Sequence, residues 1–105
     1  MKSKLIYVPL VACAFALGGA QATTQTNAVT IKNFSFGQPI TVTAGATVTW
    51  YNSDGEPHTV VSADGLFRSA ALDTGETFSF KFTKTGTFKY VCTIHPRMIS
   101  TVTVK

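Results

Sequence analysis

Three side chains with metal-binding chemistry crowd into the stretch YVCTIHPRM, residues 90–98, near the end of the chain. Cys92 is followed after three positions by His95, and His95 after three more by Met98. A thiolate, an imidazole and a thioether at that spacing can surround one point if a strand ends at Cys92 and a tight loop follows. Pro96 favours such a loop, because it fixes its own φ and restricts His95 to extended conformations. The chain has one other histidine, His58, set between the turn-like NSDGEP and the apolar TVV. That places His58 at the start of a strand, whose end can lie beside the end of the Cys92 strand in a sandwich. Two imidazoles, one thiolate and a weak thioether form the trigonal His₂Cys set with a long axial Met that suits copper. Imidazole serves Cu(I) and Cu(II) alike, whereas sulfur favours Cu(I). Zinc competes for the same histidines and cysteine, but its usual ligands do not include methionine.

Each residue alone has an ordinary explanation. A single histidine is most often a surface or core residue, a free cysteine is usually a small hydrophobe, and a methionine usually fills core. It is the joint pattern, three-residue steps after an inward strand plus one upstream histidine, that points to one copper ion held by His58, Cys92, His95 and Met98.

The elements that must position these groups read as strands and turns. Val29 and Ile31 alternate with polar neighbours, and Phe34 and Phe36 resume the alternation after Asn33, where a bulge is expected. Ile40 and Val42, Val48 and Trp50, Phe78 to Phe82, Phe88 and Tyr90, and Val102 and Val104 continue the period of two. Gly37-Gln38-Pro39, Ala44-Gly45 and Thr85-Gly86 punctuate them. The pattern predicts an all-β sandwich or barrel, with irregular connections at 52–57 and 63–74 and no convincing helix. Trp50, Phe78, Phe80 and Phe88 are expected to fill its core. Phe88, Tyr90 and Cys92 share one face of a strand, so an inward Phe88 implies an inward Cys92.

The chain is 105 residues long, which suggests one folded domain. Residues 1–22 read as a removable signal peptide: Lys2 and Lys4 come first, an apolar run spans 5–17, and Ala20-Gln21-Ala22 offers a small-x-small cleavage site. The run is too short to span a bilayer comfortably. Leu10-Val11-Ala12-Cys13 looks like a lipoprotein box, although few apolar residues precede it. The expected product is an exported, periplasmic domain of residues 23–105 with no membrane span. Loss of the two lysines lowers the formal charge from +4 to +2. With no run of lysines, nothing suggests nucleic-acid binding. Cys92 is then the sole thiol, so an internal disulfide is excluded, and an unpaired thiol in an oxidising compartment is expected to be buried or bound.

The segments TVTWYN, EPHTV and GETFSFKFTKTGTFKYVCTIHPRM resemble the cupredoxins, the type 1 blue copper proteins, and the short Cys-x-x-His-x-x-Met loop looks most like that of the amicyanins. The resemblance covers essentially all of residues 23–105. It implies an eight-stranded Greek-key sandwich, the same four ligands, and a monomeric periplasmic electron carrier rather than an enzyme. It also implies redox-protein partners: a dehydrogenase, such as methylamine dehydrogenase, as donor and a c-type cytochrome as acceptor. Thr59 and Ser100 depart from the family's frequent Asn after the first histidine and Gly after the methionine; neither change removes a ligand. The competing readings are copper storage or delivery, which extra Met or His clusters would favour, and an immunoglobulin-like binding module, which a colourless copper-treated protein would favour.

Overall fold

The computed structural model describes residues 27–105. The signal-peptide reading, its cleavage site and the alternative at Cys13 lie outside the described residues. Within them, alternation of apolar and polar side chains produces seven strands: β1 (Ala28–Ile31), β2 (Ile40–Val42), β3 (Thr47–Asn52), β4 (Val61–Ser62), β5 (Thr77–Lys81), β6 (Gly86–Val91) and β7 (Ile99–Val104). They form a three-stranded sheet in the order β1-β3-β5 and a four-stranded sheet in the order β2-β7-β6-β4. β1 runs parallel to β3 and β2 parallel to β7, while the other pairs are antiparallel. No helix among the described residues is long and apolar enough to cross a membrane.

Seven strands among the described residues fit the expected sandwich of about eight, and one edge of it is irregular. The chain at 66–72 folds back along 58–62 and pairs with it through the isolated bridges His58–Leu72 and Val61–Arg68. Between them the Ser69 hydroxyl accepts the Val60 N–H at 2.8 Å, so a side chain replaces a ladder carbonyl and interrupts the strand.

The core lies between the sheets. Trp50 is wholly buried and packs against Tyr90, Phe67 and Phe78 at ring-centroid distances of 5.4, 5.6 and 5.7 Å. Truncating a core aromatic of this size costs about 3–5 kcal/mol, so the base beneath the site is stiff. Phe88 is buried as expected, and Phe78 and Phe80, on the edge strand β5, are partly buried and pack against the core. β6 begins at Gly86 with φ 144°, and a Cβ there would stand 3.4 Å from the Phe88 ring. Glycine thus lets the strand start with Phe88 inward, and two steps of two residues then bring Tyr90 and Cys92 inward as well.

The bulge expected at Asn33 is a tight turn instead. Asn33 and Phe34 both take left-handed conformations, with φ of 55° and 58°. Lys32 and Ser35 exchange both backbone hydrogen bonds at 3.1 Å across them. Two successive positive φ values are the mark of a type I′ turn. The turn buries Phe36 and turns Phe34 out to 49% exposure.

Candidate metal centre

Cys92 ends the inward face of β6, and residues 92–98 form the loop that joins β6 to β7. Val91 pairs with Ile99 at its base. Cys92 N–H donates to the Met98 carbonyl at 3.1 Å, and Met98 N–H to the His95 carbonyl at 2.9 Å. This closure folds His95 back over the thiol, so that its own N–H donates to Cys92 Sγ at 3.4 Å. His58 comes from the opposite side, at the bridge to Leu72, and is wholly buried.

The loop before His58 is organised by Asn52, which is wholly buried. Its side-chain amide donates to the carbonyls of Glu56 at 2.9 Å and Leu72 at 2.8 Å, and its oxygen accepts the Asp54 N–H at 2.9 Å. A buried amide with its capacity met in this way fixes the loop. His58 is thereby presented with Nδ1 inward and Nε2 toward Asp54, 2.9 Å away.

The three strongest donors expected from sequence converge. Cys92 Sγ lies 3.8 Å from Nδ1 of His58 and 3.8 Å from Nδ1 of His95. All three donor atoms fall within 4.8 Å of one another. A thiolate at roughly 2.3 Å and an imidazole at roughly 2.1 Å from one metal, 120° apart, would be separated by about 3.8 Å. Both sulfur–nitrogen separations therefore suit a trigonal ion. Met98 is buried and borders the depression beside His95. The donor set and its spacing fit copper, with sulfur to stabilise Cu(I) and imidazole to hold either state.

The surroundings of Cys92 favour its thiolate over an ordinary thiol. Burial pushes its thiol up, but the N–H groups of Thr59, His95 and Ile94 and the His95 ring outweigh burial and hold it below the ordinary thiol value. Thr59, flagged in the sequence as a departure, ties the two ligand segments together. Its N–H donates to Cys92 Sγ at 3.4 Å, and its hydroxyl lies 2.8 Å from the Thr93 hydroxyl. The hydroxyl also accepts the Thr93 N–H at 2.8 Å. A threonine side chain thus spans the gap that an asparagine would be expected to fill. Thr59→Val keeps the shape and deletes the hydroxyl, so it should cost about 0.5–1.5 kcal/mol, the net worth of the bond from the Thr93 N–H. Chemical denaturation of the metal-free protein measures this; an unchanged midpoint would show the tie to be idle. Ser100, the other departure, lies in β7 opposite Tyr90, past the closed loop.

At the surface, Phe34, Ile94, His95, Pro96, Arg97 and Met98 line one shallow depression. Sequence reasoning missed Phe34. Its ring meets that of His95 edge-on at 5.0 Å and that of His58 at 5.4 Å.

The copper-binding family model described as plastocyanin/azurin matches residues 22–105. The chain belongs to this family. Its cofactor is accordingly one copper ion. This cupredoxin is 34% identical over 102 residues to amicyanin-alpha of Methylorubrum extorquens, covering 88% of this chain and 86% of the relative. Among solved structures it is similar to a Cu(I) form of an amicyanin variant, with a TM-score of 0.72 and 29% identity over 80% of this chain and 86% of the other. It is also similar to a purple cupredoxin of Nitrosopumilus maritimus, with a TM-score of 0.61 and 38% identity over 64% of this chain and 77% of the other.

Proposed function

We propose that this cupredoxin carries single electrons between redox proteins, with His58, Cys92, His95 and Met98 as the ligands of its copper and no catalytic reaction of its own. The observation that carries this reading is the pair of 3.8 Å separations between Cys92 Sγ and the two imidazole Nδ1 atoms, one set by a strand end and one by a closed loop. Copper would supply the one-electron couple. The protein's part is to present the same donors in both states. The buried Asn52 network, the Thr59 tie and the closed 92–98 loop all oppose rearrangement of those donors.

Export-like features of the sequence and the family relationship support a functional placement. The signal-like residues 1–22 support delivery to the periplasm, where a monomeric domain of residues 23–105 would meet its partners. The amicyanin relationship supports a dehydrogenase as donor and a c-type cytochrome as acceptor.

Electrons would pass through the edge of His95. His58 is sealed from solvent, whereas His95 is partly exposed and borders the depression. Ile94, Pro96 and Phe34 line that surface and give it apolar walls. A small apolar face of this kind suits a transient encounter. Arg97 adds charge at the rim, and its steering would fade with salt.

Electron self-exchange between two copies tests this face without knowledge of the partner. Pro96→Lys should slow it roughly tenfold, because it adds a second positive charge beside Arg97 and like-charged faces would meet in the encounter, while the visible spectrum stays nearly unchanged. Line broadening in mixtures of oxidised and reduced protein gives the rate. A wild-type rate in the variant would place the electron port elsewhere.

A further inference from the structure

One carboxylate touches both halves of the site. Asp54 Oδ1 accepts the Asn33 N–H at 2.7 Å, and Oδ2 accepts the Phe34 N–H at 2.9 Å. The same Oδ2 lies 2.9 Å from Nε2 of His58. Asp54 is itself held in place: its N–H donates to Asn52, and its carbonyl accepts the Thr74 hydroxyl. Its side chain is only 11% exposed, so water competes weakly for these bonds.

An ionised carboxylate only accepts hydrogen bonds. Its three partners must therefore all be donors, which puts the His58 proton on Nε2. The Nδ1 lone pair then faces Cys92 Sγ. An acidic partner on the far nitrogen fixes tautomer and ring orientation in this way at many metal-bound histidines.

The turn that Asp54 grips is unusual for its sequence. Type I′ turns ask for positive φ at both central positions, where Asn is tolerated and Gly preferred. Here the second position is Phe34, whose left-handed backbone is unfavourable for a bulky side chain. Two hydrogen bonds from one carboxylate to the adjacent N–H groups of Asn33 and Phe34 offset that strain. The outcome is a phenylalanine set edge-on against both histidine rings.

We propose that Asp54 is a positioning residue that couples the buried ligand to the docking face: it sets the tautomer of His58 and, through the Asn33–Phe34 turn, holds Phe34 against His95. This rests on the reading of those histidines as ligands of an electron-carrying copper. Phe34 then acts as a fixed wall of the electron port rather than a loose surface ring. A disturbance at the port reaches the buried ligand through one side chain.

The test is NMR of the Cu(I)-loaded protein, which is diamagnetic. The wild type should show a slowly exchanging His58 ring N–H, protected amides at Asn33 and Phe34, and ring–ring contacts between Phe34 and His95. Asp54→Ala should speed exchange of all three protons roughly tenfold or more, as loss of a hydrogen bond worth about 1.5 kcal/mol implies, and weaken the Phe34–His95 contacts. Phe34→Ala should leave the His58 ring N–H protected, because the carboxylate still holds it. If Asp54→Ala fails to fold, Asp54→Asn carries the test. Its single oxygen cannot serve three donors, so at least one proton must lose protection. Unaltered protection of all three in Asp54→Asn, or intact Phe34–His95 contacts in Asp54→Ala, would overturn the coupling. The same signals can be read on zinc-loaded protein. A wild type that lacks copper colour would sink the electron-carrier reading alone and leave the Asp54 outcome readable.

Discussion

Replacing Cys92 with serine should remove the intense visible absorption of the oxidised, copper-loaded protein and leave the fold standing. The band would arise from charge transfer between thiolate sulfur and Cu(II), and Cys92 is the free cysteine among the described residues. Serine is nearly isosteric and can still accept the N–H groups of Thr59 and His95 that now meet Sγ at 3.4 Å. The thiol is wholly buried, so the change creates no new surface. Absorption spectra of both proteins at equal copper loading decide the matter, with circular dichroism as the check on folding. A mutant that keeps the band would have its colour from some other donor.

Removing copper should lower the melting temperature substantially. An ion that binds only the native state stabilises it by RT ln(1 + [L]/Kd), about 4 kcal/mol at a thousandfold excess over Kd. For a domain of this size each kcal/mol moves the melting point by roughly 4–8 °C, so the drop should be roughly 15–30 °C. The geometry adds a reason. His58 and Cys92 are 34 positions apart, and an ion between them clips together the 52–58 segment and the 92–98 loop. Calorimetry with and without copper measures the shift, and Cys92→Ser should show a much smaller one. Coincident melts for the wild type would mean that these residues do not build a site.

Much of the centre was legible because its parts are local or periodic. The 92–98 loop carries three candidate donors in sequence, and the alternation from Phe88 through Tyr90 already points Cys92 inward. His58 was legible by elimination, as the one histidine left to complete the set. Phe34 was not. The spacing of Phe34 and Phe36 reads as two steps of a strand, and a phenylalanine where a type I′ turn wants glycine hides the turn. Asp54 carries no signal at all in NSDGEP beyond a turn, since two of its three partners stand 20 and 21 positions away. The incomplete burial of Phe78 and Phe80 was likewise illegible, because alternation marks a face but not how deeply each side chain on it is covered. The irregular edge at 58–72 was hidden for a similar reason, for Ser69 replaces a backbone partner where the sequence shows only a loop.

One copper in this set of donors should take up and return a single electron. The direct measurement is a reductive titration of the copper-loaded protein followed in the visible region. The protein should hold one copper per chain and show an intense band that bleaches with one electron equivalent and returns fully on reoxidation. A colourless Cu(II) protein, or a band that does not return, would contradict it.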